Sequence, residues 1–187
     1  MSIAKAAENG QRDLCFEILK SIADVKELLD ALERAIFRAA INNHADLACE
    51  LATLEWPLFI SYVISDPQSL VYNPYANMAA GAAWGGHREL CMSAFSTFAQ
   101  TRVMETHFMD TDALNRALLG AARDGDMRGI CAMVCDFADS IEYPIARDNI
   151  IVGAALGGHI ELMLRTIDDL RESGHLPSDK ILISDIV

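Results

Sequence analysis

Apolar residues in this chain fall into short blocks that end in a pair of alanines and are followed at once by polar residues. Runs such as Ile36-Phe37 and Ile150-Ile151-Val152 stand ahead of two of these pairs. After each pair comes a glycine or asparagine at one fixed position, then a polar first turn and a second apolar segment. Apolar residues at helical spacing on both sides of a turn residue predict a helix, a tight turn and a second helix.

This block occurs five times. The segments "GAAWGGHREL" (81–90) and "GAALGGHIEL" (153–162) differ at only two of ten positions. Intervals of 33, 43, 39 and 33 residues separate the first alanines of the pairs, which are Ala6, Ala39, Ala82, Ala121 and Ala154. A period in this range is typical of stacked repeats that carry extra residues in loops on one face.

The turn position favours a left-handed backbone. It is occupied by Gly10, Asn43, Gly86, Gly125 and Gly158. Glycine and asparagine right after a helix are the residues that a left-handed C′ position selects. Four of the second segments then place a leucine at equivalent positions, namely Leu14, Leu47, Leu90 and Leu162.

The pattern A-A-x-x-G-H-x-E-L with a 33-residue period resembles the ankyrin repeat over roughly residues 1–170. The T-P-L-H tetrapeptide that opens an ankyrin repeat is absent, and "SIADVKELLDALERAIFRAAIN" has helical periodicity where a hairpin would lie. The resemblance therefore implies an all-α, ankyrin-like α-solenoid with β-hairpins reduced or absent. Degenerate arrays of this kind look like those of large DNA viruses and intracellular bacteria.

The repeats divide one domain, residues 1–187, into five units. We expect boundaries near 1–33, 34–76, 77–115, 116–148 and 149–178. The segment 179–187, "DKILISDIV", aligns with the start of the preceding repeat and predicts a terminal half-repeat with a polar outer face.

Composition and charge narrow the classes of partner. Apolar residues make up 52% of the chain and aromatic residues 7%, which favours closely packed helices. A net charge of −12, without a cluster of Lys and Arg along the sequence, predicts no nucleic-acid partner and no membrane partner. The absence of a visible secretory signal and an odd count of five cysteines predict a cytoplasmic protein, in the host cytoplasm if it is a viral or bacterial effector.

The histidines and cysteines could bind a metal, but their positions in the repeat indicate structural roles. His44, His87 and His159 hold one repeat position, about 10 Å apart in a stack, so they cannot share a zinc ion. We expect them to bond neighbouring backbone groups instead. Core packing is also the expected role of the cysteine pairs Cys15/Cys91 and Cys131/Cys135.

No catalytic motif is recognisable in the sequence. Metallopeptidase, P-loop, nucleophile-elbow and dinucleotide signatures are absent, and His107 with Asp110 is a pair of common residue types. We therefore expect a protein that is not an enzyme and that has no metal or cofactor.

The longest interval carries an aromatic-rich insertion, residues 54–77, with prolines that suggest loop structure. Trp56, Tyr72, Tyr75 and Trp84 are the candidate partner-binding residues, since Trp and Tyr are common interface anchors. Alternatively, Trp56 and Phe59 fill the gap between repeats two and three, and Trp84 folds back over the insertion.

The expected function is a protein–protein interaction module that binds a protein partner, a host factor in a viral or bacterial setting, through its repeat surface. The alternative is a structural subunit of a homo-oligomer or of a larger assembly such as a virion. A mean hydropathy of +0.19 keeps that alternative open, because a thin two-layer array buries apolar surface incompletely.

Overall fold

The computed structural model describes residues 2–65, 73–100, 107–125 and 143–172. These residues form helices and connecting turns, with no strand in any of the four ranges. The prediction of an all-α chain is confirmed for this part of the molecule. The helices are α1 (Ile3–Glu8), α2 (Arg12–Lys20), α3 (Val25–Ile41), α4 (Ala45–Ser65), α5 (Pro74–Trp84), α6 (Arg88–Gln100), α7 (His107–Asp124), α8 (Tyr143–Gly157) and α9 (Ile160–Glu172).

The helices form two layers. The first helices of the successive pairs, α1, α3, α5, α7 and α8, pack one against the next in a row. The second helices α2, α4, α6 and α9 each pack on the first helix of their own pair. The second segment of the fourth pair, residues 126–142, lies outside the described residues. The half-repeat expected at 179–187 also lies outside them.

Local capping explains where the first helices begin. Ser2 caps α1 and Asp24 caps α3, where the Asp24 side chain accepts a hydrogen bond from the backbone N–H of Glu27 at 2.8 Å. Asn73 caps α5, and its side-chain oxygen accepts from the backbone N–H of Tyr75 at 3.0 Å. Pro74 then occupies the first helical turn, where its missing N–H costs nothing.

The predicted left-handed turn residues are confirmed at all five positions. Asn43 has a φ of 60°, and the four glycines have φ values between 66° and 78°. In the second pair the N–H of His44 donates to the carbonyl of Ala39 at 2.9 Å, and the N–H of Asn43 donates to Ala40. These are the two bonds of a Schellman motif, so the alanine pair supplies the carbonyls that close the turn.

The core between the first helices is built from small residues. The alanines of the first four pairs are fully buried. At Gly81 in α5, an added Cβ would lie 2.6 Å from the carbonyl oxygen of Phe37 and 2.9 Å from the Ala40 Cβ. The helix axes therefore approach more closely than larger side chains would permit.

The expected loop over residues 54–77 is wrong for much of its length. Residues 54–65 continue α4, which runs for 21 residues through Pro57, and residues 74–77 already belong to α5. Proline removes one helical hydrogen bond, yet the helix continues beyond it. Leu51, Ala52 and Glu55, which precede the proline on α4, are fully buried. Residues 66–72 lie outside the described residues.

Candidate partner-binding surface

A groove of about 210 Å³ crosses the layer of first helices. Four successive first helices contribute to it, α1, α3, α5 and α7. Its lining residues are Ala4, Glu33, Arg34, Phe37, Arg38, Asn77 and Arg116. We refer to these seven residues as the first-helix groove.

Helical periodicity places the α3 residues of the groove together. Arg34, Phe37, Arg38 and Ile41 are spaced i, i+3, i+4 and i+7, so they share one face of the helix. The opposite stripe of α3, which includes Leu32 and Ile36, is fully buried in the core. The burial of that stripe forces the arginines outward.

Phe37 and Arg116 connect two repeats that are not neighbours in sequence. The Arg116 guanidinium on α7 lies 4.6 Å from the centre of the Phe37 ring on α3. Because α5 lies between α3 and α7 in the row, this contact passes over α5, where Ala80 and Gly81 are small and buried. Small side chains on α5 leave room for this contact between α3 and α7.

A second cation–π contact of the same kind lies two helical turns further along the same face. Trp84 follows Asn77 by seven residues on α5, and Arg123 follows Arg116 by seven residues on α7. The Arg123 guanidinium lies 5.1 Å from the Trp84 ring centre. Trp84 also packs on Gly120, where an added Cβ would lie 2.6 Å from the indole. The ring thus joins the third and fourth repeats.

The groove is positively charged although the chain is acidic. Lys and Arg form no cluster along the sequence, but packing of the helices brings Arg34, Arg38 and Arg116 to one groove. Arg34 and Arg38 are exposed, and no carboxylate of the described residues is ion-paired with either guanidinium. The sequence shows that Arg34 and Arg38 are four residues apart, about one helical turn. Arg116 follows Arg38 by 78 residues, so the sequence alone does not place it beside them.

The positive charges of Lys5 and Arg38 lower the pKa of Glu8. Lys5 donates to the side chain of Glu8 at 2.6 Å, and this bond is the largest cause of a lowered Glu8 pKa. Burial opposes the shift, and the charges of Lys5 and Arg38 add to it. The Glu8 carboxylate, ion-paired with Lys5, therefore lies close enough to Arg38 to be stabilised by its charge.

Asn77 lies in the floor of the groove with half of its amide satisfied. It is fully buried, and its Nδ2 donates to the backbone carbonyl of Glu33 at 2.7 Å. Its Oδ1 accepts no hydrogen bond from the described residues. A buried amide oxygen without a donor is unfavourable, since most such groups in folded proteins are bonded.

The structure separates two of the predicted partner-binding residues. Trp84 is half-buried on the face of the first-helix groove. Tyr75 is nine residues earlier on α5, on the opposite side of the helix and about 14 Å away along its axis, and it packs against the core. Tyr72 lies outside the described residues, as do the side chains of Trp56, Phe59, Tyr62, His107 and Asp110.

The three repeated histidines do bond neighbouring backbone, as predicted. Through Nε2, His44 donates to Glu8 O at 3.0 Å, His87 to Ile41 O at 2.8 Å and His159 to Arg123 O at 3.1 Å. Each acceptor stands two residues after the first alanine of the preceding pair. The histidines therefore join the second, third and fifth repeats each to the repeat before it.

Cys15 and Cys91 are fully buried, as predicted for core positions, and burial raises the pKa of the Cys15 thiol. Cys131 and Cys135 lie outside the described residues. In the part of the chain that the structure describes, no group of three His, Cys, Asp or Glu side chains is placed to hold a metal ion.

Glu55 is a buried carboxyl that sequence reasoning missed. It is 0% exposed, and neither carboxyl oxygen has a hydrogen-bond partner among the described residues. Burial, and secondarily the charge of Glu33, raises the Glu55 pKa well above its usual value. Glu55 follows the buried Ala48 by seven residues, so both lie on one face of α4. That spacing is the sequence feature that indicates its burial.

None of the described helices has the length and apolar character needed to cross a lipid bilayer. Comparison of the chain with protein-family models, curated proteins and solved structures finds no match.

Proposed function

We propose that this protein is an ankyrin-like α-solenoid that acts as a non-catalytic protein–protein interaction module. Its binding surface is the exposed face of the first-helix layer. The partner is a protein, and a host factor if the chain is encoded by a virus or an intracellular bacterium. The observation that carries the proposal is a single groove formed by four successive first helices.

Repeat architecture makes this face suitable for recognition. Positions on the exposed face of the first helices vary between repeats while the alanine pairs below remain buried. Residues on such a face can change without altering the core, so the face can be adapted to one partner. Trp84 and Arg123 extend the same face and supply residue types that are enriched in interfaces.

A photo-crosslinking experiment tests the location of the surface. A photoreactive amino acid replaces Arg38 on the first-helix layer or, as control, the exposed Glu17 on the second-helix layer. We expect one partner to be captured from candidate host lysate by the Arg38 position and not by the Glu17 position. Capture by both positions, or by Glu17 alone, would contradict the proposal.

An exposed apolar patch favours a second candidate, a structural subunit that assembles with copies of itself. Leu156, Ile160 and Leu164 are 58%, 64% and 51% exposed on α8 and α9. Three large apolar side chains this exposed on one end of a helix pair mark a contact surface. Light scattering separates the two candidates, because an obligate oligomer that dissociates on Ile160→Glu substitution supports the subunit.

A further inference from the structure

We propose that the first-helix groove binds an extended acidic peptide segment of the partner, with carboxylates at alternate positions held by Arg34 and Arg38. This inference rests on the proposed function and names the chemistry of the partner. It requires a protein segment with Asp or Glu at positions i and i+2.

The charge of the groove selects an anion. Three arginines and one carboxylate, Glu33, line it, in a chain whose net charge is −12. The guanidinium groups of Arg34 and Arg38 project from an exposed face without an ion pair to any described residue. Arginine binds carboxylates with two parallel hydrogen bonds, which gives both strength and orientation.

Net charge favours a short acidic segment over a long polyanion. At physiological ionic strength charges are screened beyond about 8 Å. A short peptide within the groove is therefore affected mainly by the local arginines. A nucleic acid long enough to leave the groove would meet the acidic remainder of the molecule, which repels phosphate.

Spacing favours an extended peptide. Arg34 and Arg38 are four residues apart on a helix, so their Cα atoms are separated by about 6 Å along the axis. Alternate side chains of an extended strand point the same way and repeat at about 6.6 Å. Two carboxylates at i and i+2 therefore match the two arginines when the peptide runs along α3.

The floor of the groove supplies the rest of the recognition. Ala4 and Phe37 provide apolar surface, and Arg116 already lies over the Phe37 ring. The Asn77 Oδ1 lies beneath this surface, buried and without a donor among the described residues.

Fluorescence anisotropy with the full chain tests the proposal. The probe is a labelled peptide, Glu-Ser-Glu-Ser-Glu-Ser-Glu, with its Gln-for-Glu analogue as neutral control. The groove variant is R34Q/R38Q. The matched control is R88Q/R165Q, which removes two exposed charges from the second-helix layer.

We expect the acidic peptide to bind, the neutral analogue not to bind, and the affinity to fall about tenfold or more in R34Q/R38Q. The affinity of the control variant should stay within about twofold of that of the natural protein. Both variants lose two positive charges, so a difference between them reports on the groove and not on net charge. An equal loss in both variants, or no binding of the acidic peptide, would overturn the proposal.

Two further probes test spacing and ligand class. A peptide of equal charge, Glu-Glu-Ser-Ser-Ser-Glu-Glu, lacks the i, i+2 arrangement and should bind more weakly. Equal affinity for both peptides would overturn the alternate spacing. An oligothymidylate of equal charge that binds more tightly than the peptide, and loses affinity in R34Q/R38Q, would replace the peptide with a nucleic acid.

Failure of this inference can be told from failure of the proposed function. If the Arg38 crosslinker captures a partner while R34Q/R38Q binds the acidic peptide like the natural protein, only the acidic-segment inference is wrong. If no partner is captured through the first-helix layer, the proposed function itself is wrong.

Discussion

Gly86 and Gly158 hold the same backbone conformation in different surroundings. Their φ values are 71° and 75°. A Cβ on Gly86 would lie 2.5 Å from the Asp124 carboxylate, whereas a Cβ on Gly158 would meet no atom within 4 Å. A substitution at Gly158 therefore adds backbone strain alone, whereas one at Gly86 adds both strain and crowding by the next repeat.

We predict that Gly86→Val lowers the free energy of unfolding by about 1–3 kcal/mol, because a β-branched residue is strained at positive φ. Gly158→Val should cost less, since it adds strain without crowding. Chemical denaturation of both variants measures the difference. An unchanged midpoint for Gly86→Val would show that this turn does not require glycine.

Glu55 makes stability depend on pH. Because its pKa is raised in the folded state, ionisation is less favourable there than in the unfolded chain. Below the ordinary pKa of 4.5 the carboxyl is neutral in both states, and the folded protein keeps its full stability. As pH rises towards the higher folded pKa, the unfolded state loses its proton first, and the free energy of unfolding falls.

We predict that Glu55→Gln is more stable than the natural protein at neutral pH, and that the advantage shrinks as pH falls to about 4, where the unfolded carboxyl is also protonated. Denaturant unfolding at several pH values measures the difference. Exposed Glu17→Gln controls for loss of one negative charge. A difference that does not change with pH would show that Glu55 is not buried as described.

Helix α5 approaches α3 closely because Gly81 has no side chain. Alanine is normally better than glycine in a helix by about 1 kcal/mol. At Gly81 this gain is opposed by contact with Phe37 O and Ala40 Cβ. The site therefore tests whether packing between helices outweighs the intrinsic preference of one helix.

We predict that Gly81→Ala destabilises the protein by roughly 1–3 kcal/mol, as overpacking of a tight contact does. Ser96→Ala, an exposed site on α6, should be neutral or slightly stabilising by helix propensity alone. Thermal unfolding followed by circular dichroism compares the two. Stabilisation by both substitutions would mean that α3 and α5 are further apart than described.

At the scale of the whole molecule, stability depends on contacts between successive repeats. In stacked arrays the free energy of unfolding is approximately the sum of the stabilities of the single repeats and of the interfaces between neighbouring repeats. Trp84 belongs to one such interface, since it packs on Gly120 and under Arg123. It also faces the surface proposed for the partner, so its role combines packing and recognition.

We predict that Trp84→Ala lowers stability by about 1–3 kcal/mol, because a half-buried ring is removed from the interface between the third and fourth repeats. Calorimetry measures the loss, and peptide binding is then measured well below the melting temperature. An unchanged melting temperature with binding about 2 kcal/mol weaker would instead identify Trp84 as a pure anchor. A variant that is stable and binds fully would place the functional surface elsewhere.

Local rules were sufficient for the helix pairs and their turns. Each turn involves fewer than ten consecutive residues, so the glycine or asparagine after the alanine pair predicted its positive φ directly. The sequence also predicted that the repeated histidines bond backbone groups, but only the structure places the acceptors in the preceding repeat.

Tertiary structure alone decided the groove and the buried carboxyl. Arg116 meets Phe37 only because α3, α5 and α7 pack in a row with small residues on α5, and that lateral order is not encoded in either helix. Likewise α4 continues through Pro57, which the local rule for proline in a helix does not predict. Periodicity along the chain determines which residues share a helix face, whereas the packing of different helices determines which faces meet.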